Sequence, residues 1–235
     1  MSEPLSLMST LAVELAFKRG ILPGWAAAHP TVEAFWAPTV VLMRRIQAGV
    51  RGDVVVLIDA SMEALAQQGI VKRESIRPIA RAGFGIAVRE GEARPDISTP
   101  AAFRETIRAA RSVCYSRTGA SGLYFAELIQ RLGIADEVND RAVIIPAGFT
   151  AEKLLSGECD VAVQQISELM SIDGADILGP FPGELQVHTD FSAAIFEGTS
   201  HPDAAAFMAH LTTVVASRAY DQGGLASRIE VTGAL

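Results

Sequence analysis

Apolar and polar positions fall into two kinds of block along this chain, short unbroken apolar runs and longer stretches with a helical rhythm, and the two alternate from the first residues onward. That alternation predicts an α/β fold with a largely parallel sheet. Residues 5–8 form the first apolar run, and Ser9 and Thr10 then supply hydroxyls for the start of a helix through Leu11, Leu15 and Phe17. Gly20 and the LPG triplet at 22–24 read as its stop. Residues 31–36 read as a second strand, followed by Pro38, Thr39 and an amphipathic stretch at 40–48. The run DVVVLI at 53–58 is β-branched and apolar without alternation, the pattern of a strand buried on both faces. Asp59, Ala60 and Ser61 then open a helix at 62–68 that ends at Gly69.

The rhythm changes at 81–89, where GFGIAV at 83–88 reads as an extended crossover. A second series follows, with helices predicted at 100–110, 121–132 and 150–155 and strands at 112–115, 143–146 and 159–164. Residues 177–181 and 191–197 read as extended, and a last helix is expected over 202–220. Two α/β series joined by extended segments predict two lobes with a cleft between them. In open parallel sheets, ligands lie where strand carboxyl ends meet helix amino ends.

Those junctions are rich in small polar residues. Ser9, Thr10, Thr39 and Ser61 stand at the early ones, and CYSRTGASG at 114–122 is the fullest. Gly119 and Gly122 let the backbone approach a ligand, Ser116, Thr118 and Ser121 bring hydroxyls, and Arg117 adds a planar fork suited to a carboxylate. The ordinary reading of each hydroxyl is a helix cap, and that of Arg117 is a solvated surface arginine. Gln164 and Gln165 close a predicted strand; their amides suit an anion or a carboxylic acid, or equally the carbonyls of a neighbouring loop. Glu14, Asp59 and Glu168 lie near the same junctions and are candidate proton carriers.

Composition narrows the classes. With 235 residues, half of them hydrophobic, the chain can bury a real core, and its net charge of −7 argues against a nucleic-acid partner. No apolar run reaches membrane-span length. The first residues lack the form of a secretory signal, so a cytoplasmic location is expected of the sequence as it stands, and a periplasmic one if a leader is removed. Cys114 and Cys159 have no zinc spacing, and the four histidines form no triad or metal pattern, so no metal or cofactor is expected. Sequence alone leaves open whether the two cysteines pair.

The order of these elements resembles the type II periplasmic-binding-protein fold, and within it the molybdate-binding-like solute receptors. The residues that carry the likeness are Ser9 and Thr10 after the first strand, Pro38-Thr39, the RGDVVVLID strand at 51–59, the 83–88 crossover, the 116–122 turn and DVAVQQISE at 160–168. The resemblance implies two lobes, 1–82 plus 190–235 and 83–189, each a mostly parallel sheet flanked by helices. A two-segment hinge would join them and close them over a small anion. By position it implies ligand contacts at Ser9, Thr10, Thr39 and Ala60 or Ser61 in one lobe, and at Thr118, Gly119 and Gln164 in the other. Molybdate receptors usually carry a tyrosine where Gln164 falls. That amide and the neighbouring Arg117 point from molybdate towards a carboxylate. If the protein is exported, the resemblance implies an ABC transporter as partner. Some proteins of similar fold resemble aconitate isomerase, which implies an alternative: proton transfer on a small polycarboxylate, with Glu14, Asp59 or Glu168 as base. A ligand-sensing regulatory module is a third reading.

Overall fold

The computed structural model describes residues 3–230. It carries ten strands among those residues: β1 (Leu5–Ser9), β2 (Val32–Trp36), β3 (Val54–Ile58), β4 (Arg77–Arg89), β5 (Val113–Ser116), β6 (Val143–Ile145), β7 (Val161–Gln165), β8 (Ala175–Pro180), β9 (His188–Ile195) and β10 (Ala226–Ser227). The chain divides into two compact units, with the change from one to the other falling at 81/82 and again at 189/190. β4 and β9 are the strands that carry the chain across these two points.

In the first unit β1 lies parallel between β2 and β3, and β9 pairs antiparallel with β3. Val54, Val55, Val56 and Leu57 are fully buried, as an unbroken β-branched run should be, because helices cover both faces of a parallel sheet. Met8, Leu42, Val55, Leu57, Met62 and Phe196 pack into one of the apolar clusters that hold this unit together. In the second unit β5 lies parallel between β6 and β7, and β4 runs antiparallel to both β7 and β8. Phe84, Phe103, Phe125 and Phe181 fill its core, with Phe103 and Phe181 edge to face at 4.9 Å. The α/β class is as the sequence predicts, but the sheets are mixed where mostly parallel ones were expected, because the strands that cross between the units, β4 and β9, pair antiparallel with their neighbours.

Two helix boundaries differ from expectation. The chain does not stop at Gly20 or at 22–24; it stays helical through Leu11–Val13, Glu14–Ala16, Phe17–Ile21 and Leu22–Ala26, the third of these being a wide π turn. Gly20 is needed for packing: a Cβ there would lie 2.7 Å from Cβ of Ala219. Gly223 meets Ala16 in the same way, at 2.8 Å, so two small-residue contacts let the helix Val214–Gln222 press against the first helical segment. Pro23 falls in the first turn of the last α segment, directly after the π turn. The predicted helix over 202–220 is two helices, Ala204–His210 and Val214–Gln222, because the Thr213 hydroxyl accepts from the N–H of Ala216 at 3.1 Å and starts a new one. A short helix at Ala135–Asn139 has no counterpart in the sequence reading.

Candidate functional site

Parallel pairing puts the carboxyl ends of neighbouring strands on one edge of a sheet. In the first unit Ser9 stands opposite Trp36 on one side and Val56 on the other. The residues that follow those strands therefore emerge along the same edge: Thr10 after β1, Pro38 and Thr39 after β2, Asp59, Ala60 and Ser61 after β3. Ser9 and Thr10 are buried. The Ser9 hydroxyl donates to its neighbour's carbonyl, and the Thr10 N–H donates to Val56 O at 3.2 Å, so the turn is tied to β3.

The second unit repeats the arrangement. Ser116 is opposite Ile145, and Cys114 is opposite Ala162, which brings the ends of β5, β6 and β7 to one edge. The turn after β5 is stitched there. Arg117 N–H donates to Ile145 O at 2.8 Å, Thr118 Oγ1 to Pro146 O at 2.7 Å, and Gly119 N–H to Ser116 Oγ at 3.0 Å. Gly122 packs so closely that a Cβ would come 1.9 Å from Ser116 O. Gln164, 3 % exposed, accepts from the N–H and the hydroxyl of Thr150 at 2.8 and 2.9 Å and donates to Gly148 O at 2.9 Å. Its amide thus organises the 148–150 turn, the loop-satisfying role that sequence left open.

How the helix starts are capped decides what they can do. The expected hydroxyl caps are absent at the sheet-edge junctions: the cap positions are held by Thr10, Pro38, Ile58, Gly119 and Gln165, and no side-chain cap hydrogen bond is made at any of them. Two other helices are capped, Thr99 accepting from Ala102 N–H and Thr213 from Ala216 N–H, whereas those that follow Ile134, Ala151 and Asp203 are not. The helices Thr39–Gln47, Asp59–Gln67 and Ala120–Arg131 therefore begin at the strand ends with first-turn N–H groups that no side-chain cap covers. Gln165 Oε1 and Ser167 Oγ, both buried at the end of β7, have no hydrogen-bond partner among the described residues.

The charged candidates separate clearly. Arg117 is exposed, and its guanidinium makes no ion pair or hydrogen bond with the described residues. Its charge is felt at Tyr115: burial pushes that phenol up from its ordinary value and Arg117 opposes the shift. Asp59 is fully engaged, accepting from Ser192 Oγ at 2.6 Å and from Arg228 Nη1 at 2.9 Å. Arg228 also reaches Asp190 at 3.6 Å, and Asp190 holds Arg81 through bonds of 2.5 and 2.7 Å. Sequence could not have found this chain of charges, since Arg228 lies 169 residues from Asp59. Glu14 is largely buried and pairs with Lys18 at 2.5 Å one helical turn on. Glu168 sits in the short helix Ile166–Leu169 after β7. Among the described residues no group of three His, Cys, Asp or Glu side chains is placed to hold a metal.

Comparison with known proteins gives these edges a context. The profile of the family described as bacterial extracellular solute-binding protein matches residues 24–226. The chain belongs to that family. An aconitate isomerase from Pseudomonas sp. is 33 % identical over 175 residues, which is 74 % of this chain and 66 % of that relative's own length. Among solved structures, the periplasmic molybdate-binding protein of Azotobacter vinelandii superposes with a TM-score of 0.74 at 18 % identity, covering 94 % of this chain and 98 % of that one. The substrate-binding domain of a putative molybdenum ABC transporter from Clostridium difficile gives 0.70 at 12 % identity, covering 97 % and 99 %. The expected likeness to molybdate-type receptors and to aconitate isomerase is thereby met, and this solute-binding protein has the periplasmic-binding-protein fold. No helix among the described residues is long and apolar enough to cross a membrane.

Proposed function

We propose that this solute-binding protein captures a small carboxylate, with donors on the strand-end edge of each unit as its ligand contacts. In the first unit these are Ser9, Thr10, Thr39, Ala60 and Ser61. In the second they are Ser116, Arg117, Thr118 and Gly119, with Gln164 and Gln165 at the end of β7. The observation that carries the reading is that the helices starting at the strand ends, Thr39–Gln47, Asp59–Gln67 and Ala120–Arg131, have no side-chain cap over their first-turn N–H groups, and that the buried Gln165 Oε1 and Ser167 Oγ at the end of β7 have no partner among the described residues. A helix start of that kind is a ready anion site.

Arg117 selects the class of anion. Tetrahedral oxyanions are held well by neutral N–H and hydroxyl donors, whereas a planar carboxylate gains from the two parallel bonds of a guanidinium. The buried Oε1 of Gln165 is an acceptor without an internal donor, and a ligand hydroxyl or a protonated carboxyl would satisfy it. A periplasmic location, with delivery of the solute to an ABC transporter, fits the family and belongs to the same proposal.

The test is a binding panel of molybdate, tungstate, sulfate and di- and tricarboxylates read by thermal shift. A bound carboxylate at a hundredfold excess over its Kd should add about 2.7 kcal/mol to native-state stability. Arg117→Ala should weaken carboxylates by roughly 10- to 100-fold, the value of a charge-assisted pair, and leave sulfate nearly unchanged. A panel with no response to any anion would overturn the reading.

The identity shared with an aconitate isomerase supports a second reading, in which a bound tricarboxylate also loses and regains a proton across its double bond. Such chemistry needs a base beside clamped carboxylates. Glu14, Asp59 and Glu168 are the candidates for that role; Asp59 accepts from Ser192 and Arg228, and Glu14 pairs with Lys18. Incubation with cis- or trans-aconitate, followed by proton NMR, separates the readings. Binding without conversion is expected for a receptor, and conversion would make the protein an isomerase.

A further inference from the structure

Cys114 lies on β5 opposite Ala162 of β7, and Cys159 stands two residues before β7 begins. Both thiols are free. They pack in one apolar cluster with Leu154, Ala162 and Leu169. Both are buried, Cys114 at 0 % and Cys159 at 3 % exposure, but Cys159 borders a pocket of about 580 Å³ together with Leu154, Gly157 and Val161. The rim of that pocket carries Arg111, paired with Asp160 at 2.6 Å.

We propose that Cys114 and Cys159 are a redox couple, converted to an intramolecular disulfide by exchange with a small disulfide such as oxidised glutathione that enters through this pocket. The Cys159 thiolate attacks one sulfur of the small disulfide, forming a mixed disulfide and releasing one small thiol. Cys114 then loses its proton to solvent and attacks Cys159 Sγ, which expels the second small thiol. Two protein thiols are oxidised and one small disulfide is reduced to two thiols, so atoms and electrons balance. The order follows from access, and electrostatics agree with it. The neighbouring Cys159 thiol, and then burial, push the Cys114 thiol well above its ordinary value, so it is a poor first nucleophile. An extracellular family works where such oxidants prevail, and the bond would staple β5 to the entry of β7, the two strands whose far ends carry Ser116 and Gln164.

The test is to incubate the full chain with oxidised glutathione, unfold it, alkylate it and measure its intact mass. Two alkylated thiols are expected before treatment. None is expected afterwards, with a mass lower by two hydrogens and a linked peptide containing Cys114 and Cys159. Cys114→Ser should stop at a stable glutathione adduct on Cys159, and Cys159→Ser should take up none. Two thiols still alkylated after treatment, cross-linking between chains, or an adduct on Cys114 in the Cys159→Ser protein would each overturn the proposal; the wild-type measurement stands even where a variant fails to fold.

Discussion

Replacing Gly122 with alanine is expected to cost about 3 kcal/mol, the upper part of the range for overpacking, seen as a lower urea midpoint with an unchanged slope. The added methyl would sit 1.9 Å from Ser116 O and 2.8 Å from the carbonyl carbon behind it. Both are backbone atoms, fixed by the pairing of Ser116 with Ile145, so relief requires the helix Ala120–Arg131 to move away from the end of β5. Gly119→Ala offers the comparison. There the methyl meets Ser116 Oγ at 2.5 Å, a side chain that can turn aside at the loss of one hydrogen bond, so its midpoint should fall less. Equal midpoints for Gly122→Ala and wild type would mean that the turn is not packed as described.

Gln164→Leu should cost about 2–4 kcal/mol even without ligand, because more than one buried polar group is left unsatisfied at about 1–3 kcal/mol each. The change keeps most of the volume while removing the acceptor for Thr150 N–H and Oγ1 and the donor to Gly148 O. Thr150 is fully buried, so water cannot readily replace the amide. Faster hydrogen exchange at the Thr150 amide, together with the lower midpoint, is the expected signature. A Gln164→Leu protein that loses ligand affinity but keeps its unliganded stability would instead give this amide to the ligand alone.

Much of the architecture was legible because it rests on local pattern. The run at 53–58 could only be a buried strand, and Gly69 ends its helix, as read, with the positive φ that glycine adopts freely. Gly20 was misread because its reason lies 199 positions away at Ala219, where closeness of approach, not backbone freedom, demands a missing side chain. The capping expectation failed for a geometric reason. Thr39 is the first residue inside its helix, with Pro38 in the cap position, and the Ser116 hydroxyl accepts from Gly119, the cap residue itself, so neither oxygen reaches the first-turn N–H groups. Composition placed small polar residues at the strand-end junctions but not their orientation. The Asp59–Arg228–Asp190–Arg81 chain and the thiol contact were invisible for the reason Gly20 was, since strands distant in sequence assemble them.

The first unit is assembled from both ends of the chain, with the helix Val214–Gln222 seated on the first helical segment through Gly20 and Gly223. On the ribosome, therefore, the second unit has its whole sequence available while the first still waits for its closing helix and for β9 and Arg228. The early strands β1 to β3 must spend that interval with apolar faces uncovered, and a chaperone that shields nascent chains would find its most exposed client there.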